Sequence, residues 1–267
     1  MRPRLLVSLF TVVTVVPALT IAAVTTAVAH ARSPQAGGTL TARVFATREG
    51  LVGWQTANGH AITNRDWFAA LPSWRGLSDK GEGDRSVRVC HEGNNRCVFL
   101  PVWDVGPWNT MDDYWAEERH SWDDLPRGKP EAQAAYEDGY HKGKDESGRK
   151  VSNPAGIDIA DGAFWDGLGL DRNDWVDVTF LWTGEGDRGT VDTPKGEPLR
   201  VRSGPRLGAA LRGGAAEHAQ VPIRCQVRGD KVDGTVRSTD LWDRVGEGIY
   251  VSHAYIEVDD DFKAHKC

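Results

Sequence analysis

The chain has 267 residues, 40% hydrophobic and 26% charged, enough apolar matter to bury a core and too much for global disorder. Thirty glycines and 13 prolines favour turns and short strands over an all-helical bundle. A balance of 32 basic against 38 acidic side chains leaves no global basic field, so a nucleic-acid backbone is not an expected partner.

Arg2 and Arg4 precede a nearly uncharged stretch, Leu5 to Val28, that ends in small-x-small steps at Ala27-Val28-Ala29 or Ala29-His30-Ala31. This is the pattern of a secretory signal peptide over residues 1–31, with a retained membrane anchor as the alternative for so long an apolar run. Secretion is expected, with no stable membrane anchor after processing and with the protein extracellular, associated with a cell wall, and a monomer. Cys90, Cys97, Cys225 and Cys267 fit an oxidising compartment and allow three pairings. Cys90–Cys97, around the turn-like Gly93-Asn94-Asn95, and Cys225–Cys267, pinning the C-terminus, are favoured. Zinc at Cys90 and His91 lacks a matching second pair, so neither a metal nor another cofactor is expected.

Leu40, Ala42, Val44 and Ala46 alternate, as do Val87 and Val89, and Val176, Val178, Phe180 and Trp182. Each set predicts a half-buried strand, and the continuous Val98 to Trp103 run predicts a central one. Short helices are expected from Pro130 to Tyr136 and from Asp161 to Leu170. The segment 109–153, rich in Asp, Tyr and Trp, is too long for a plain loop. Ten of the 11 tryptophans lie between Trp54 and Trp182. That distribution, with the Gly-, Pro- and charge-rich stretch 184–198, predicts a first domain over 39–183, a linker over 184–198 and a second domain over 199–267. In the second, Val221, Ile223, Cys225 and Val227 predict a strand of a small barrel.

Four ordered segments of the second domain, Leu199 to Pro205, Val221 to Cys225, Leu241 to Arg244 and Tyr250 to Tyr255, resemble a bacterial SH3 module. The resemblance implies a small SH3-like β-barrel that tethers extracellular enzymes to peptidoglycan, with Trp242, Tyr250 and Tyr255 either in its core or on a stacking face. In the first domain, Thr56-Ala57-Asn58-Gly59, Phe68 to Pro72, Val102 to Trp108, and Gly156 to Ala160 with Leu168-Gly169-Leu170 resemble the barrel of rare lipoprotein A and, more distantly, expansins. The fold implied is mainly β: a six-stranded double-psi β-barrel with short helices and a long insertion, followed by the SH3-like barrel. The partner implied is a cell-wall glycan or peptidoglycan, bound and in some members cleaved, with Asp104 and Asp158 facing the groove.

Glycosidic cleavage needs a proton delivered to the leaving oxygen, and a carboxyl in a partly apolar groove beside a second carboxylate keeps one. Asp104 sits between Trp103 and Trp108, which offer sugar-stacking faces; its competing reading is a cap of the Gly106-Pro107 turn. Asp158 is the second candidate, against a reading as the cap of the following helix. Thr56, Asn58 and His60 are the remaining substrate-binding candidates. The family histidine before Leu-Pro falls here on Trp67 or Phe68, which sets a non-catalytic glycan-binding protein or a protein-interaction module beside the lytic enzyme as readings. His60 is either a stand-in for that histidine or a loop residue.

Overall fold

Alternation builds the first strand: in β1 (Thr41–Arg48), Ala42, Val44 and Ala46 are buried while Thr41 and Arg43 face water, the period of two that a half-buried strand needs. The computed structural model describes residues 39–267, and the expected signal peptide lies outside the described residues. With β2 (Ala69–Leu71), β3 (Ser86–His91), β4 (Arg96–Val105), β5 (Ala155–Ile159) and β6 (Asp174–Phe180) the first strand closes a six-strand barrel. The ring runs β1-β5-β2-β4-β3-β6 and returns to β1. The β1–β5 and β2–β4 pairs are parallel and the other four antiparallel. Val44, Val87, Val89, Val98, Leu100, Val102, Ile157, Ile159 and Val178 are fully buried and share the main core. The last predicted strand stops at Phe180, and Trp182 lies in a 3-10 turn. The second expected helix is a π-helical turn, Ala163–Leu168, closed by the left-handed Gly169.

The insertion 109–153 is a folded layer. Tyr114 and Trp115 are core residues: Trp115 stacks on Phe180 at 5.3 Å, Tyr114 meets the same ring edge-on at 5.4 Å, and its hydroxyl donates to the Gly156 carbonyl at 3.0 Å. Behind them lies a buried polar network. Asp112 accepts from Arg119 at 2.5 Å and from the Glu131 N–H at 2.6 Å, and Glu131 accepts from Asn109 at 2.7 Å. These bonds fix the first turn of α1 (Glu131–Asp138), whose predecessor Pro130 sits at the N-cap.

The remaining strands are β7 (Arg188–Val191), β8 (Leu199–Arg202), β9 (Leu211–Ala215), β10 (Gln220–Pro222), β11 (Cys225–Asp233), β12 (Ser238–Gly246), β13 (Ile249–Ser252) and β14 (Ile256–Glu257). Five of them form the order β11-β12-β13-β8-β9, and β9 runs parallel to β4 of the barrel, so one sheet crosses from the barrel into the C-terminal strands. β7 lies between β10 and β14 in a separate three-stranded sheet. The stretch 184–198, predicted as a linker, is therefore built into the body: it carries β7, and Val191 is fully buried in the same core as Val44 and Val201. The single strand predicted over 221–227 is split into β10 and β11 by a change of partner: the Ile223 N–H still bonds the Asp187 carbonyl at 2.8 Å in register with β7, and the next N–H, of Arg224, goes to the Arg244 carbonyl of β12 at 3.0 Å. Trp242 is 1% exposed and donates its indole N–H to the Asp230 carbonyl, a core residue and not a stacking face. Both favoured disulfides are formed, Cys90–Cys97 and Cys225–Cys267.

Candidate functional site

The parallel pairing of β1 with β5 and the placement of β2 between β5 and β4 assemble a carboxyl cluster at one end of the barrel. Ala70 of β2 pairs with Asp158 on one side and with Asp104 on the other. Adjacent strands are about 4.8 Å apart, so the two aspartates spring from backbones about 10 Å apart with Ala70 between them. Thr47 pairs with Asp158, and its hydroxyl donates to that carboxyl. Two residues further on, the Glu49 N–H donates to the Ile159 carbonyl at 2.9 Å, which fixes Glu49 over the end of β5. The Glu49 carboxyl lies beside that of Asp104 and adds to the same cluster.

The floor opposite is bare backbone. Gly106 adopts φ 151°, open in practice only to glycine, and a Cβ there would stand 4.0 Å from the Asp158 carboxyl. The Ala57 N–H from the 56–60 loop donates to Asp104 Oδ1 at 2.8 Å, as does the Val105 N–H. Thr56 and Asn58 are spent on that loop. The Thr56 hydroxyl donates to Asn58 at 2.7 Å, and the Asn58 amide donates to the Ser78 carbonyl at 3.1 Å. They shape the support of Asp104. Neither aspartate plays its alternative part: Asp104 receives the loop N–H and not a turn, and Asp158 sits inside β5, three residues before Asp161.

Electrostatics single out three groups. Burial, with the charges of Asp158, Asp104 and Asp161 added, pushes Glu49 up from 4.5 to about 8. Burial pushes Asp158 up to about 7 against the Thr47 hydroxyl. Burial also raises Asp104, opposed by the Val105 and Ala57 N–H groups. A fourth carboxyl, Asp161, is 4% exposed and takes two contacts from the Arg48 guanidinium at 2.9 and 3.0 Å and the Gly50 N–H at 3.2 Å. The Arg48 guanidinium also lies 5.0 Å over the Trp165 ring, which is 46% exposed. Trp54, in the turn that follows Glu49, is 71% exposed.

The remaining candidates lie elsewhere. Trp103 meets His60 at 5.0 Å and His218 at 6.3 Å and donates its indole N–H to the Glu82 carbonyl. Its ring lines a separate cleft of about 610 Å³ with His60, Asp66, Lys80 and Glu217, which none of the clustered carboxyls lines. His60 is held there by Asp66 at 2.8 Å. Trp108 is half-buried in the insertion, packed on Ala132, Ala135 and Val151 with its N–H on Asn153 at 3.0 Å. Phe68 is fully buried. Glu49, Thr47, Arg48, Asp161 and Trp165 escape sequence reasoning; the only local trace is Arg48-Glu49-Gly50, a charge pair and a glycine ending a clean strand alternation. Among the described residues no group of His, Cys, Asp and Glu is arranged to hold a metal ion.

Residues 40–179 match the family described as a domain of unknown function (DUF8814). No curated protein matches the chain. Two solved structures of an expansin from Clavibacter michiganensis align with it. A point mutant in complex with cellohexaose is 10% identical over 85% of this chain and 100% of its own, with a TM-score of 0.29. The apo form is 12% identical over 82% of each chain, with a TM-score of 0.24. At those scores the functional reading rests on the site's own geometry.

Proposed function

Because this chain belongs to the DUF8814 family, a domain of unknown function, we propose its function from the site alone: an extracellular cell-wall protein whose barrel end binds a wall polysaccharide, peptidoglycan or a related glycan, and protonates a glycosidic oxygen there. The observation that carries this reading is the half-buried carboxyl cluster of Glu49, Asp104 and Asp158: burial raises all three, Glu49 to about 8 and Asp158 to about 7, the range where a carboxyl serves as general acid near neutral pH. Trp165, under the Arg48 that bonds Asp161, and Trp54, in the turn after Glu49, are exposed faces on which sugar rings would stack. Residues 199–267 serve as an SH3-like module that holds the chain on the wall. The two disulfides support an oxidising compartment, and among the described residues no helix is long and apolar enough to cross a membrane.

The test is sedimentation with purified cell walls together with mass analysis of the fragments released. Binding with release supports the full reading. Binding without release leaves the glycan-binding protein and removes the enzyme, an outcome favoured by one observation: Trp67 or the buried Phe68 stands where the resemblance expects histidine. Neither binding nor release from any wall glycan overturns both.

A further inference from the structure

The donors around the cluster are unequally shared. Asp161 takes the Arg48 guanidinium and the Gly50 N–H, Asp104 takes two backbone N–H groups, and Asp158 takes the Thr47 hydroxyl. Glu49 takes none: its Oε2 is buried without a partner, and its polar neighbour is the Asp104 carboxyl. Two carboxylates cannot hydrogen-bond to each other, so that contact becomes a bond only when one of them carries a proton. Hydrogen bonds to an anion favour the anion, and two N–H donors on Asp104 against none on Glu49 decide which group ionises first. We propose that Glu49 is the group that holds this site's proton and delivers it, with Asp104 ionised as its hydrogen-bond partner.

The surroundings agree from every side. Glu49 faces Asp104 on β4, Asp158 on β5 and Asp161 beyond it, all acidic. The neighbouring cation Arg48 is turned to Asp161 and Trp165. Burial and these neighbours push Glu49 up to about 8, above Asp158 at about 7. The inference rests on the proposed glycan chemistry only for its substrate. In a hydrolytic turnover the Glu49 proton passes to the bridging oxygen, and the C–O bond breaks with its electron pair leaving on that oxygen as a hydroxyl. Water supplies the hydroxyl that closes the anomeric carbon, and its proton returns Glu49 to the acid.

The deciding experiment is a carboxyl-carbon NMR titration of the protein labelled with ¹³C at its Glu and Asp side-chain carboxyls, without substrate. One Glu resonance is expected to titrate near 8, to be absent from Glu49→Gln, and to fall by about one pH unit or more in Asp104→Asn, which removes the neighbouring charge. Should Glu49→Gln fail to fold, the movement of that resonance in Asp104→Asn decides. A high-titrating resonance that belongs to an aspartate, or the lack of any glutamate titrating above about 6 that responds to these changes, overturns the assignment. If wild type releases wall fragments, Glu49→Gln is expected to keep sedimenting with walls while release falls by roughly 10²-fold or more; unchanged release overturns the delivery of the proton by Glu49. Because the titration needs no glycan, the failure of the proposed function and the failure of this inference give different results.

Discussion

Arg119→Met tests whether the insertion is held by its buried charges. The Arg119 side chain is 4% exposed and its partner Asp112 is fully buried, joined at 2.5 Å. Removing one partner of such a pair strands the other, and the cost is carried by the ionised form of Asp112. The cost should depend on pH. Burial already pushes Asp112 up to about 7 against the pull of Arg119 and the Glu131 N–H, and loss of the guanidinium raises it further. A folded pKa above the unfolded value of 3.8 means that the stability contributed is full below that value and is lost as pH rises through the folded pKa. Above pH ~7 the variant's carboxyl resists ionising while wild type's does not, so the penalty grows by up to about 1.4 kcal/mol per pH unit. At pH ~5.5 Asp112 is protonated in both proteins and the penalty shrinks toward zero. Thermal unfolding at the two ends of this range measures it, with a penalty of about 2 kcal/mol and a fall in Tm of about 6 °C expected at pH ~8.5. Arg119→Met with Asp112→Asn removes the stranded charge yet keeps an oxygen for the Glu131 N–H, and should recover most of the loss. An equal penalty at both pH values, or a double variant as weak as the single one, refutes the reasoning.

Glu49→Gln should gain stability over wild type as pH rises from about 4.5 to 8, because wild type loses the stability of its protonated Glu49 through that window. The span at 1.36 kcal/mol per unit is about 5 kcal/mol, screened by the water that reaches the carboxyl to about 3; Tm against pH for the two proteins checks it, and parallel curves refute it. Removing Cys225–Cys267, with a separation of 42 residues, should cost about 4 kcal/mol, and removing Cys90–Cys97, with a separation of 7, about 2.3, by loop closure in the unfolded chain. Equal losses in denaturant midpoint would count against that account. Gly213→Ala places a Cβ 1.8 Å from the Cys97 carbonyl oxygen at φ 128°, so the β4–β9 joint should part with a loss above about 3 kcal/mol, while Gly208→Ala, with open space around it, stays within about 0.5 kcal/mol on the same melting curves.

The barrel was readable because its signals are local. Alternating Ala42, Val44 and Ala46 became β1, the Val98 to Trp103 run became the middle of β4, and both favoured cysteine pairs closed. The joint between the two halves was not readable, and glycine is the reason. Leu211 to Ala215 carries no apolar alternation, since Gly213 must admit the Cys97 backbone and Gly214 the Trp67 ring. In the supposed linker, Gly189 lies where a Cβ would come within 2.3 Å of Ile256. In sequence these glycines read as flexibility, whereas in the fold they mark close approach of another strand. The carboxyl cluster was half legible. Asp104 and Asp158 carry motif context, but Glu49 joins them through the parallel β1–β5 pairing, which no local pattern announces.

Trp103 and Asp104 are neighbours in sequence and were expected to act on one substrate. Between the pairs Ala69–Val102 and Ala70–Asp104, β4 advances two residues while β2 advances one, so Trp103 is the extra residue of a bulge. A bulge re-aims side chains, and here the Trp103 ring goes to His60, Phe68 and His218 while the Asp104 carboxyl goes to Glu49 and the Ala57 N–H. The 56–60 loop bonds to both residues, its Asn58 N–H to the Trp103 carbonyl and its Ala57 N–H to the Asp104 carboxyl. That loop buttresses Asp104, and the exposed aromatic rings of the β1 and β5 segments are Trp54, which follows Glu49, and Trp165 under Arg48. Asp161 therefore serves twice: it holds Arg48 over Trp165, and by occupying that cation it turns it away from Glu49.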